Sequence, residues 1–345
     1  FGADADGAEG ESMSTIIVNA SGGAEIDFAD GQTIFADSTT NSTTDLAVTV
    51  TATTATSSTA NLGLVDNQFG TVAVTATNAG TFSMDGTTAA SMTATVSGVG
   101  NVDLGTITTT TTATVDATSL TGELTVDFSG VTTTTTVTTG SGGVTGITIG
   151  DAANSITLGV NNEVNDHIIM STTGGTSITI ANFNTGATNG DSIDLSATGI
   201  LTYGTGAGTD VLGFLDSDSG GGLATDVVAL QTATGTLDLD ALTTENVLVL
   251  DGDFALSSLA EAAMETGGSR ELKAGAASFD NGVSSFIVVW DDGTNSYLGV
   301  AVVEAASATT GTVADDGATF TTLELNQVIE FTGVSDATTF TAANL

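Results

Sequence analysis

Hydrophobic and polar residues alternate in short runs along the first 143 residues. The runs Ala47–Thr51, Thr71–Thr75, Met92–Val96 and Leu124–Phe128 place apolar side chains at every second position. That is the period of a strand with one face inward. Gly, Asn, Asp and Ser lie between the runs, residues that turn a chain. Apolar strand positions recur at Val72, Phe82, Met92, Val102, Ala113 and Leu124, ten or eleven residues apart. A near-constant step of strand plus turn marks a repeating coil, and two or three steps would close a rung of about 20–30 residues. Stacked rungs bury one another's faces as a β-solenoid. A β-sandwich also sets strands about 8–12 residues apart, but Asn-Gly hairpin signals are sparse, which favours the solenoid. The runs Thr108–Thr112 and Thr132–Thr136 fit stacked, outward-facing Thr ladders, because β-branched Thr suits a pleated surface.

The pattern changes twice. Residues 144–201 hold short Ile-rich strands whose turns carry Asp and Asn beside Gly. Residues 202–345 are less repetitive. Leu256, Leu259 and Ala263 recur at helical spacing and Gly267-Gly268 follows, predicting one short helix over Leu256–Met264. Phe286–Trp290 and Tyr297–Val303 flank a polar Asp291–Ser296 loop, a hairpin pattern. The expected architecture is all-β. A Thr-rich solenoid occupies 1–143, a turn-rich region 144–201, and a mostly β capping region with one short helix 202–345.

Composition narrows what such a chain can do. Of 345 residues, 41 are Asp or Glu and 2 are Lys or Arg, giving a formal net charge of -39. Nucleic acid is therefore excluded as a partner, because phosphate contacts need cations. Anionic lipid is disfavoured for the same reason. With 40% hydrophobic and only 12% charged residues, the acidity is not of the disordered kind. No apolar run reaches the roughly 18 residues of a membrane span. Absent Cys removes disulfides and thiolate chemistry, and absent Pro leaves backbone N–H groups free for ladders. The first residue is Phe1, so the expectation is a processed or truncated product.

The segments Ile156–Gly159, Asn165–Ile168, Ile178–Phe183 and Gly190–Ser196 resemble the calcium-binding regions of repeats-in-toxin proteins, which bacteria export by type I secretion. Val328–Val334 and Thr339–Leu345 are similar to the uncleaved C-terminal export signal of that class. No protease motif accompanies them, which points to the structural members, the surface-layer proteins. The resemblance implies secretion to the bacterial cell surface and a calcium-stabilised coil.

Calcium takes six to eight oxygen ligands from Asp, Asn and carbonyl groups in flexible turns. Clusters that could supply them include Asn161, Asn162, Asn165 and Asp166; Asp191 and Asp194; and Asp291 and Asp292. Asp and Asn are also ordinary turn residues. His167 is the sole His and has no nucleophile motif beside it, so it reads as a surface or packing residue, and the chain as a non-enzyme. Arg270 and Lys273 either pair locally, with Glu265, Glu271 or the helix C-terminus, or mark a contact with an acidic neighbour. The expected function is self-assembly into a surface layer or extracellular filament, with copies of the chain and cell-surface polysaccharide as partners. An adhesin or carbohydrate-binding protein is the alternative. An ice-binding array is disfavoured, because continuous Thr runs put Thr on both faces of a strand.

Overall fold

The computed structural model describes the strand backbone at 15–20, 25–32, 45–52, 59–64, 71–76 and 81–84. It further describes 86–142, 145–150, 153–160, 165–170, 178–186, 189–195, 228–238, 242, 245, 247–265, 267–274, 283–304, 318–319 and 323–345. The chain divides into two compact units, Phe1–Ser171 and Thr172–Leu345.

The first unit contains strands β1 (Thr15–Ala20), β2 (Glu25–Gln32), β3 (Asp45–Ala52), β4 (Thr59–Leu64), β5 (Thr71–Ala76), β6 (Thr81–Met84), β7 (Gly86–Gly98) and β8 (Asn101–Leu120). It continues with β9 (Leu124–Asp127), β10 (Thr134–Thr138), β11 (Thr145–Ile149), β12 (Ala153–Thr157) and β13 (His167–Met170). Each strand pairs in parallel with the strand one rung on. One ladder runs β1–β3–β5–β7–β8–β10–β12. The other runs β2–β4–β6–β8–β9–β11–β13. Two ladders wound by one chain make a β-solenoid. Side-chain hydrogen bonds between neighbouring rungs span 20 to 23 residues. Two of the ten- or eleven-residue steps therefore close each rung.

Apolar columns fill the coil. Val72, Ala94, Val115, Val137 and Ile156 stack at one register position, and Val126, Ile147 and Ile168 at another, all buried. Strand β8 shows how a two-residue period closes a circuit. Its buried positions are Val102, Leu104, Ile107, Thr109, Ala113, Val115, Ala117 and Leu120. Strict alternation slips after Leu104, Thr109 and Ala117. Each slip leaves extra residues outside a corner, so that the inner face stays inward as the chain bends. The slips correct the expected Thr ladders. Thr109 and Thr135 point into the core, where their hydroxyl oxygens find no hydrogen-bond partner. Their neighbours Thr110–Thr112 and Thr132–Thr134 remain exposed.

Rungs approach most closely at one glycine-lined corner. A Cβ on Gly140 would lie 1.8 Å from the Leu120 carbonyl oxygen, and one on Gly159 would lie 1.9 Å from that of Gly140. Gly98 there has φ +112°, open to glycine at no steric cost.

The second unit holds β14 (Ile178–Ala181), β15 (Ser192–Asp194), β16 (Leu230–Ala233), β17 (Leu237–Asp238), β18 (Val247–Asp253), α1 (Ser257–Met264) and β19 (Leu272–Ala274). After these come β20 (Val283–Asp291), β21 (Ser296–Glu304), β22 (Ala318–Thr319) and β23 (Leu323–Thr332). Its main sheet runs β16–β18–β20–β21–β23–β14. Strand β21 runs antiparallel to both β20 and β23, and the other neighbours are parallel. β20 and β21 form the expected hairpin. Val247–Leu250 and Phe286–Trp290 are buried without alternation, as in strands covered on both faces.

The helix forms where its spacing predicts, but a different face is buried. Ala260, Ala263 and Met264 face inward, and Ala260 and Met264 belong to the core with Leu248, Phe286 and Trp290. Leu256 and Leu259 stay 62% and 50% exposed. Glu261 Oε2 accepts the Leu325 backbone N–H at 2.9 Å, so the helix caps a donor of β23 that no strand takes. The C-terminal residues dock on this unit: Phe340 stacks on Phe183 and meets Phe331 edge-on.

Candidate functional site

The acidic turns are the candidate site. Their carboxylates first serve the backbone. At the solenoid corners, the Asp103, Asp116 and Asp127 side chains accept the N–H groups of Gly105, Thr118 and Ser129, two residues on in each case. This is the Asx-turn arrangement. The Thr118 hydroxyl and N–H hold the Asp116 carboxyl below its usual range.

The predicted calcium residues fall into separate places. Asn161 and Asn162 lie outside the described residues. Asn165 is exposed, while Asp166 beside it is buried and accepts the Thr145 N–H at 2.8 Å, tying neighbouring rungs. Asp191 is buried. Its Oδ2 accepts the Asn184 N–H at 2.8 Å, and its carbonyl accepts Asn344 Nδ2 at 2.8 Å. The Asn344 carboxamide oxygen also accepts the Thr341 N–H and hydroxyl. The penultimate residue is thus tied to the loop before β15. Asp194 is half-buried at the end of β15.

Asp291 and Asp292 begin the hairpin loop, and their surroundings drive them apart. Asp291 is buried and accepts N–H groups from Ala337 and Gly293. Burial pushes its carboxyl up. The two donors oppose this, and the charges of Asp253 and Asp336 reinforce it. Asp292 is also raised by burial, but the Asn295 N–H, the Tyr297 hydroxyl and the Thr294 N–H outweigh it and hold its carboxyl low. Burial and the Asp292 acceptor push the Tyr297 phenol up to about 12. Its ring stacks on Trp290 at 5.4 Å.

Among the described residues, no group of three or more His, Cys, Asp or Glu side chains is arranged to hold a metal. A carboxylate oxygen bonded to one N–H keeps a second lone-pair direction, so these turns can still offer oxygens to a cation. His167 is half-buried on β13, opposite Gly146. Arg270 is used locally. Its backbone N–H caps the Ala263 carbonyl at the helix end. Its guanidinium donates to the Asp251 carbonyl from Nε at 2.8 Å and again from Nη2. Two contributors were invisible in the sequence, Glu261 and Asn344. Each acts on backbone groups more than 60 residues away, and no local pattern marks such a pairing. No protein-family model, curated protein or solved structure matches the chain.

Proposed function

We propose that this chain is a secreted bacterial structural protein, of the repeats-in-toxin-like surface-layer kind, that assembles with copies of itself into a layer or filament. The observation that carries the reading is the continuous parallel ladder of the first unit. Regular rungs build a stiff rod, and a strand at the start of a ladder offers unpaired backbone groups to another chain. Among the described strands, the partners of β1 and β2 are β3 and β4. A second copy adding to this edge in a head-to-tail sense generates an open array rather than a closed dimer.

Calcium enters the same proposal through charge. A surface of net charge -39 repels its own copies, and divalent cations at the acidic turns would relieve that repulsion. Negative-stain imaging and sedimentation of the purified chain, with calcium and with excess EGTA, test both parts. Ordered arrays in calcium that disperse in EGTA are expected. Dispersed monomers in both conditions would refute self-assembly. Arrays indifferent to EGTA, with no metal found by elemental analysis, would refute the role of calcium alone.

A further inference from the structure

Thr109 and Thr135 are 1% and 0% exposed, and their hydroxyl oxygens meet no hydrogen-bond partner among the described residues. Both stand at one corner of the coil. On one rung Thr109 and Ala113 point inward on either side of the exposed Thr110–Thr112. On the next rung Val131 and Thr135 flank the exposed Thr132–Thr134 in the same way. Ala113 and Thr135 are in register, so counting back along both rungs sets Val131 against Thr109. The Thr133 hydroxyl donates to the Thr111 carbonyl across the same two rungs. The corner therefore holds a quartet of inward side chains, with its two hydroxyls on one diagonal and Ala113 and Val131 on the other. Ala113 is the smallest side chain of its column, between Met92 on the preceding rung and Thr135 and Asn154 on the following ones. Asn154 is buried too, and its Nδ2 donates to the Gly150 carbonyl at 3.2 Å.

We propose that this corner binds an internal water molecule, held beside Ala113 and shared by the Thr109 and Thr135 hydroxyls. Shape does not call for hydroxyls here. Val131 takes the place of Thr109 one rung on, and valine has the outline of threonine, so an apolar side chain fits the corner equally well. A buried hydroxyl without a partner gives up its hydration and gains nothing in return. One water on the diagonal removes that loss at both ends, because each hydroxyl can donate to it or accept from it. Buried waters make about three hydrogen bonds and need a polar site with room for them. The two hydroxyls supply two partners, and the Asn154 carboxamide, in register with Thr135, adds a third polar group. The small Ala113 side chain gives the room. No carboxylate stands among these inward positions, so the site suits a neutral ligand rather than a metal ion. It lies inside the coil and is independent of self-assembly.

The test uses the full chain. Magnetic relaxation dispersion of solvent water counts long-lived internal waters, and a high-resolution crystal structure locates them. Both are applied to the native chain and to the double variant Thr109→Val/Thr135→Val. Unfolding midpoints are measured for these, for each single variant, and for Thr136→Val, an exposed control. The native chain is expected to show density beside Ala113, and the double variant to lose that density and one long-lived water. Each single variant should lower the midpoint. The two together should lower it by less than the sum, because they serve one water, and Thr136→Val should leave it unchanged. An unchanged water count in the double variant, with no density beside Ala113 in the native chain, would overturn the proposal. So would a rise in midpoint on either single substitution, which marks a hydroxyl buried without a partner. Loss of two waters with additive effects would overturn the shared site.

Discussion

Replacing Gly140 by alanine sets two rungs of the solenoid against each other. The new Cβ would stand 1.8 Å from the Leu120 carbonyl oxygen and 2.9 Å from that of Ala117. Both obstacles are backbone, so no side chain can swing away. The rungs would have to part by more than about an ångström, against a normal spacing of about 4.8 Å. Overpacking of this sort costs about 1–3 kcal/mol. The bonds beside the corner, Thr139 N–H to the Thr157 carbonyl at 2.9 Å and Gly159 N–H to the Thr139 hydroxyl at 2.8 Å, would stretch. Each is worth about 1 kcal/mol. Loss of glycine's unfolded-state freedom returns about 0.4–1 kcal/mol. The net cost is about 3 kcal/mol, which lowers the melting temperature by roughly 6–12 °C for a domain of this size. Gly146→Ala is the control, since its Cβ would meet nothing nearer than 3.8 Å. It should be neutral or stabilise by about 0.5 kcal/mol. Thermal melts followed by far-ultraviolet circular dichroism decide the matter. If Gly140→Ala melts together with Gly146→Ala, the close-packed corner is not a constraint on the fold.

Other expectations concern the second unit. Met264→Ala should cost about 2–5 kcal/mol in urea denaturation, whereas Leu259→Ser on the exposed face should shift stability by less than about 0.5 kcal/mol; equal effects would contradict the buried face seen here. Arg270→Met removes charged donors from the Asp251 carbonyl and should cost about 1.5–3 kcal/mol, with Arg270→Lys intermediate; unchanged denaturation midpoints would return Arg270 to a surface role. Asp291 has a folded pKa above its unfolded value. Its favourable contribution is therefore complete at acid pH and is lost as pH rises from about 4 through the raised value. Asp291→Asn should flatten the stability–pH profile over that window, and an unaltered slope would show that the group is not strained.

Much of the first unit was legible because strand patterning is local. Val72, Phe82, Met92 and Val102 announce their own spacing, and alternation announces the inner face of each short run. The direction of a side chain beyond a corner is not local. It depends on how many residues the corner consumes, which is fixed only when the coil closes on the previous rung. That is why Thr109 and Thr135 point inward against expectation. The acidic candidates show the same division. Asp and Asn at turns were evident, but the bonds of Asp191 to Asn184 and of Asp291 to Ala337 arise from partners that chain topology brings together.

The sequence by itself determined that the chain is β-rich, strongly anionic and wound in steps of ten or eleven residues. It also placed helix α1 and the β20–β21 hairpin. Only the tertiary structure decided that two steps close a rung, that α1 buries Ala260 and Met264 rather than its leucines, and that Thr columns line up across rungs. Periodicity and composition are properties of neighbours along the chain. Register, burial and hydrogen-bond partnership are properties of neighbours in space, set by the requirement that every rung fit against the next without leaving backbone groups unpaired.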